Sequence, residues 1–166
     1  NNPTGTFINK KEVIDLIENL PKNVLLVYDA AYAEYIDEKS YTDGSELVEK
    51  YPNVVMLRTF SKIHGLAALR LGWGYCSEEI LNILMSVRPP FSVNSVAMNC
   101  GIIAMQDLDF QKQCLEYNKS NMKWMENELE NLNLDFQRSF TNFILVKFPL
   151  AEKYNAKKAE EFLSKN

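Results

Sequence analysis

Val54-Val55-Met56-Leu57-Arg58-Thr59-Phe60-Ser61-Lys62-Ile63-His64-Gly65-Leu66-Ala67-Ala68-Leu69-Arg70-Leu71-Gly72 is the stretch on which the reading of the chain turns. Its first four residues are β-branched or apolar without alternation, the pattern of a buried strand in a parallel sheet. Hydroxyls, one lysine and a glycine follow, poor material for prolonging a strand. A lysine rarely lies buried without a partner, because its ammonium loses hydration there. Lys62, held at the end of a core strand, is therefore either a snorkelling surface residue or a chemical group. The second alternative has a physical basis: an amine desolvated near other cations loses its proton more easily and can form Schiff bases. Arg70, eight positions on, supplies such a cation and could also hold a phosphate.

Upstream, two further stretches carry the same kind of signal. Asn1-Asn2-Pro3-Thr4-Gly5-Thr6 is a turn cluster, in which Pro sets φ, Gly permits positive φ, and Asn and Thr satisfy local backbone groups. Asn9 is a candidate N-cap, and Val13, Leu16, Ile17 and Leu20 then recur at helical spacing until Pro21 and Asn23 stop the helix. Val24-Leu25-Leu26-Val27-Tyr28 reads as a short apolar strand ending at Asp29. An aspartate at the carboxyl end of a parallel strand is either a cap or turn residue or a ligand-binding group, because open α/β sheets bind ligands at that edge.

Together these stretches resemble fold-type I pyridoxal-phosphate (PLP) aminotransferases. Thr59-x-Ser61-Lys62, Gly65 and Arg70-x-Gly72 are similar to the family's lysine segment, and Thr-Phe-Ser-Lys-x-x-Gly-Leu-Ala-x-Leu-Arg looks most like its histidinol-phosphate aminotransferase branch. Asn2-Pro3-Thr4-Gly5 resembles the family's Asn-Pro-x-Gly, and Asp29-Ala30-Ala31-Tyr32 its Asp-x-x-Tyr, with small residues leaving room for a flat ring. The resemblance implies that Lys62 binds the cofactor aldehyde as a Schiff base and shuttles the substrate's α-proton. It implies that Asp29 keeps the pyridine nitrogen protonated, so that the ring can accept electrons. Asn2 and Tyr32 are implied at the ring oxygen, and Thr59, Ser61 and Arg70 at the phosphate. One helix-and-strand unit separates Asn2 from Asp29 and another separates Asp29 from Lys62, which brings the motifs toward one sheet edge. His64, the single imidazole, is read as loop packing, since Lys62 itself is the family's proton shuttle.

The implied fold is α/β, the PLP-dependent transferase fold type I, with a mostly parallel sheet flanked by helices and the start of a smaller α+β carboxyl-terminal domain. Residues 1–105 would be the second half of the cofactor domain, and residues 106–166 a linking helix and the start of the small domain. Glu34, Tyr35 and the acidic-aromatic stretch to Asp43 read as a loop over the site, with no catalytic role assigned. Ser45 to Tyr51 reads as a short helix, and Leu71 to Cys76 as a strand. Ser77 opens a helix whose apolar face holds Ile80, Leu81, Ile83, Leu84 and Val87, and Asn94 to Met105 reads as a core helix. A long charged helix runs from Asp109 to Asn131. Strands follow at Leu132 to Phe136 and Thr141 to Phe148, then a helix from Ala156 to Lys165 with Ala159, Phe162 and Leu163 inward.

Composition narrows the class. The formal net charge is -4 and the 18 basic residues are scattered, which argues against a nucleic-acid footprint. No apolar run approaches the roughly 18 residues of a transmembrane helix. The 3 cysteines, Cys76, Cys100 and Cys114, lack CxxC spacing and read as thiols of a reducing compartment, in keeping with a cytoplasmic enzyme. A single histidine excludes a His-rich metal site.

The chain starts without methionine and stops in an apparent helix, so it reads as a segment of a longer enzyme, inactive alone. The resemblance implies a homodimer that transfers an amino group between histidinol phosphate and 2-oxoglutarate. Alternatives of the same fold are an aromatic-amino-acid transaminase and a threonine-phosphate decarboxylase. Outside enzymology stand a PLP-sensing regulator domain and an inert fragment.

Overall fold

The computed structural model describes residues 1–151 and 154–165. Glu152, Lys153 and Asn166, which fall in the expected small domain, lie outside the described residues. The chain divides into two compact units, one of Phe7–Leu115 and one of Asn1–Thr6 with Glu116–Asn166.

In the first unit, helix α1 (Lys10–Asn19) starts at a complete capping box. Asn9 Oδ1 accepts from the Glu12 amide at 3.0 Å, and Glu12 Oε2 accepts from the Asn9 amide at 3.2 Å. Strand β1 (Leu26–Asp29), helix α2 (Ser45–Lys50) and strand β2 (Val54–Thr59) follow. Val13 and Ile17 of α1, Leu47 and Val48 of α2, and Val54 and Met56 of β2 form one buried cluster. Each such side chain, fully removed from water, contributes about 1.5–3 kcal/mol. Val54, Val55 and Met56 are all buried, as their unbroken apolar run predicts, whereas Leu57, the fourth residue of that run, is exposed at the cleft.

β1 and β2 pair in parallel, and strand β3 (Gly72–Tyr75) pairs with β2 antiparallel, in the order β1-β2-β3. β1 begins two residues later than its apolar run, because the Val24 amide donates to the Pro21 carbonyl and is held in that turn. Helix α3 (Glu78–Val87) follows Ser77, whose hydroxyl donates to the Pro52 carbonyl at 3.1 Å and makes no cap bond. None of the ten residues of α3 is buried. Helix α4 (Ser95–Gln106) is capped by Asn94 but buries only Ala97 and Gly101, where Gly101 admits Leu71 and Phe60. The core role expected of α4 is thus confined to its small-residue stripe.

Helix α5 (Leu108–Asn131) leads into the second unit and closes in a Schellman motif. The Leu134 amide donates to the Leu129 carbonyl, the Asn133 amide to the Glu130 carbonyl, and Asn133 takes φ 53°. Those residues are consumed in stopping the helix, so strand β4 is Asp135–Gln137, shorter than expected. It pairs antiparallel with strand β5 (Leu145–Lys147). Thr141, 2% exposed, turns the chain between them through its hydroxyl, which bonds Ser139 and Phe143. Helix α6 (Ala156–Leu163) is capped by Asn155. Ala159 is half-buried, whereas Phe162 and Leu163 are exposed, against the inward placing expected of them. Helical periodicity marks an apolar stripe but not whether anything covers it.

Candidate active site

The carboxyl ends of the two parallel strands open on one cleft. Its volume is about 450 Å³, and Asp29, Thr59, Ser61, Lys62 and Arg70 all line it, with Ala31 and Ala67 as small neighbours. Asp29 is the last residue of β1 and Thr59 the last of β2, and Asp29 stands in register with Leu57. Parallel pairing with a helix between the strands therefore delivers both side chains to the same edge.

Local turns orient these groups. Asp29 Oδ1 accepts from the Ala31 amide at 3.1 Å, and Thr59 Oγ1 accepts from the Ser61 amide at 3.0 Å. Each side chain accepts from the amide two residues on and turns the backbone at the cleft. Gly65 continues the lysine loop at φ 68°. Arg70 also lies in the left-handed region, at φ 55°, with its guanidinium donating to the Ala67 carbonyl at 2.7 Å. A side chain other than Gly, Asn or Asp is held there at a cost of roughly 1–2 kcal/mol. Strained residues of this kind cluster at ligand clamps.

Lys62 Nζ stands 5.0 Å from the centroid of the Tyr32 ring, within cation–π range. Six of the seven residues singled out from sequence thus lie at or beside the cleft. Asn2 belongs to the other compact unit, in the turn of residues 2–4. His64 stacks on Phe60 at 4.8 Å between ring centroids, and its Nδ1 is buried without a hydrogen-bond partner among the described residues.

Sequence reasoning missed one component. Arg58, also in the cleft lining, makes an ion pair with Glu34 at 2.7 Å and approaches Asp43 at 3.4 Å, while its guanidinium covers the Trp73 ring at 5.7 Å. Glu34 lies in the 3₁₀ turn Ala33–Tyr35, directly after Tyr32. Burial is the largest influence on Asp43 and raises its pKa, but hydrogen bonds from Ser45 and the Arg58 charge outweigh it and leave the carboxyl below its ordinary value. Burial also pushes the Tyr35 phenol up to about 12, aided by Cys114 and Glu34. Among the described residues there is no cluster of metal-ligating side chains, and no helix is long and apolar enough to cross a membrane.

The architecture is shared with known enzymes. The crystal structure of a histidinol-phosphate aminotransferase from Sinorhizobium meliloti in complex with pyridoxal-5'-phosphate superposes with a TM-score of 0.82 at 27% identity, over 88% of this chain and 40% of that one. One from Clostridium acetobutylicum gives 0.87 at 21% identity, over 99% and 49%, and supports the fold alone. The fold is therefore that of the fold-type I PLP-dependent transferases. The family model of class I and II aminotransferases matches residues 1–165, and the chain belongs to that family. The histidinol-phosphate aminotransferase of Maricaulis maris is 44% identical over 164 residues, 99% of this chain and 45% of that protein. The chain thus spans a little under half the length of this curated relative.

Proposed function

We propose that the whole protein is a PLP-dependent transaminase acting on histidinol phosphate and 2-oxoglutarate, with this chain carrying its cofactor-anchoring half. The observation that carries the reading is the single cleft joining Asp29, Thr59, Ser61, Lys62 and Arg70 at the ends of β1 and β2. Its donor set suits the cofactor: one amine for an aldehyde, one carboxylate for a ring nitrogen, and two hydroxyls and a guanidinium for a phosphate. Alanines at positions 31 and 67 leave space for a planar ring. Bound there, PLP supplies an electron sink for the carbanion formed at the substrate's α-carbon.

Lys62 would hold the cofactor aldehyde, and its Nζ would take and return the α-proton. Asp29 holds a proton on the ring nitrogen by charge pairing, because an adjacent anion favours the protonated base. Tyr32 would donate to the ring oxygen, the role that the family resemblance also gives to Asn2. Thr59 and Ser61 donate to the phosphate and Arg70 neutralises it. The substrate assignment rests on relatives named histidinol-phosphate aminotransferase at 40–44% identity. We further infer a cytoplasmic homodimer in which residues 1–105 complete the cofactor domain and residues 106–166 begin the small domain.

The test is an absorption titration of the full-length protein with PLP. A visible band bleached by borohydride and absent from Lys62→Ala is expected; an equal band in that variant removes Lys62 from its role. Transamination assays then separate the substrate classes. Activity with histidinol phosphate at least about tenfold above that with aromatic amino acids, about 1.4 kcal/mol of discrimination, is expected. Preference for an aromatic amino acid, or decarboxylation of threonine phosphate, overturns the substrate.

A further inference from the structure

The Arg58–Glu34 pair has no part in the chemistry assigned above, yet it joins the two segments that carry it. Arg58 lies on β2 directly before Thr59 and close before Lys62, while Glu34 directly follows the Tyr32-Ala33 step. The pair is 2.7 Å long with side chains only 15% and 18% exposed. A second carboxylate, Asp43, stands 3.4 Å from the other terminal nitrogen, and the Trp73 ring caps the guanidinium. Shielded ion pairs add little net stability over apolar packing, and their best-attested use is to specify one geometry. Ala30 and Ala33, both buried, seat the base of that turn in the core, and the Arg58–Glu34 pair ties the next residue of the turn to β2.

We propose that Arg58 and Glu34 form a positioning clasp that holds the Tyr32 turn against the strand delivering Lys62, and so sets the spacing between the Lys62 amine and the Tyr32 phenol. The inference rests on the cofactor reading of the cleft. Neither Arg58 nor Glu34 is a catalytic residue; both act through Tyr32. The planar fork matters, since Arg58 serves two carboxylates from different loops and a lysine offers a single point charge.

The experiment is a pH titration of the visible band in the full-length, PLP-loaded protein, with thermal melting of the cofactor-free forms in parallel. A hydroxyl donating to the ring oxygen favours its anionic form, so losing that donor raises the titration midpoint. Asp29, Lys62, Arg58 and Arg70 are the charged groups lining the cleft, and none is changed in the decisive variant, Glu34→Gln. Tyr32→Phe raises the midpoint, and Glu34→Gln and Arg58→Lys raise it in the same direction by about 0.5 pH unit, a threefold change in the proton-binding constant. In the Tyr32→Phe background, Glu34→Gln adds no further shift. An equal shift with or without the Tyr32 hydroxyl overturns the clasp in favour of a direct charge effect. A lowered melting temperature with an unmoved midpoint overturns it in favour of a purely structural pair. A wild-type protein with no Lys62-dependent band overturns the cofactor reading, and the clasp with it.

Discussion

At the scale of single residues, close approach of backbone matters as much as the groups that carry chemistry. Gly72 pairs with Thr59 across the sheet, and a Cβ there would stand 2.8 Å from the Arg58 carbonyl oxygen. That oxygen belongs to the strand leading to Lys62 and cannot swing away as a side chain can. Gly72→Ala is therefore expected to destabilise by about 1–3 kcal/mol, the range of an overpacked site. Gly74→Ala, whose nearest neighbour is a flexible Leu57 methyl at 3.3 Å, is expected to cost less. Urea unfolding of both variants checks the order, and equal midpoints would remove the steric reading. The hydroxyls and carboxylates of the cleft are similarly local: Asp29 and Thr59 each bond the amide two residues on, which a reader of the sequence can anticipate from Asp-x-Ala and Thr-x-Ser.

At the scale of elements, caps and helix stops account for where the structure agrees with expectation and where it is shorter. Asn9 was legible as an N-cap from its residue type and the helical spacing after it, and the structure adds Glu12, which completes a capping box. Asn9→Ala should cost about 0.5–2 kcal/mol, since the Glu12 amide loses its side-chain acceptor. A chemical-denaturation midpoint unchanged by that substitution would show α1 to be held by Val13 and Ile17 alone. The strand boundaries were less legible. β4 loses its first three expected residues to the Schellman stop around Asn133, and β5 loses Thr141 to a hydroxyl-mediated turn. In both places an apolar or β-branched residue met a backbone hydrogen bond that local propensity does not weigh.

At the scale of the whole molecule, charge governs the response to acid. The Tyr51 hydroxyl, 2.6 Å away, and then Lys50 hold Glu18 below its ordinary pKa, and Lys10 does the same for Glu46. Asp43 is also depressed, with burial outweighed by Ser45 and Arg58. A carboxyl with a depressed folded pKa binds its proton less readily in the fold than in the unfolded chain. Its contribution is thus present above the unfolded value, about pH 4, and is lost as pH falls through the folded value. The melting temperature should fall from pH 5 to pH 3, and the double variant Glu18→Gln with Glu46→Gln should flatten that slope. An equal slope in the variant would assign the acid response to other groups.

Sequence alone determined the family, the succession of helices and strands through the first unit, and the identity of the cleft's lysine, aspartate and hydroxyls. Those features are written in short windows: an unbroken apolar run, a capping residue, turn residues at given offsets. Tertiary structure decided what no window contains. The Arg58–Glu34–Asp43 contact joins residues 15 and 24 positions apart, and nothing in local periodicity pairs them. The apolar run of β3 carries no record of its direction, which its antiparallel ladder to β2 supplies. The apolar stripes of α3 and α4 look alike in sequence, yet only Ala97 and Gly101 of α4 are buried, because burial depends on what else the chain brings against a surface.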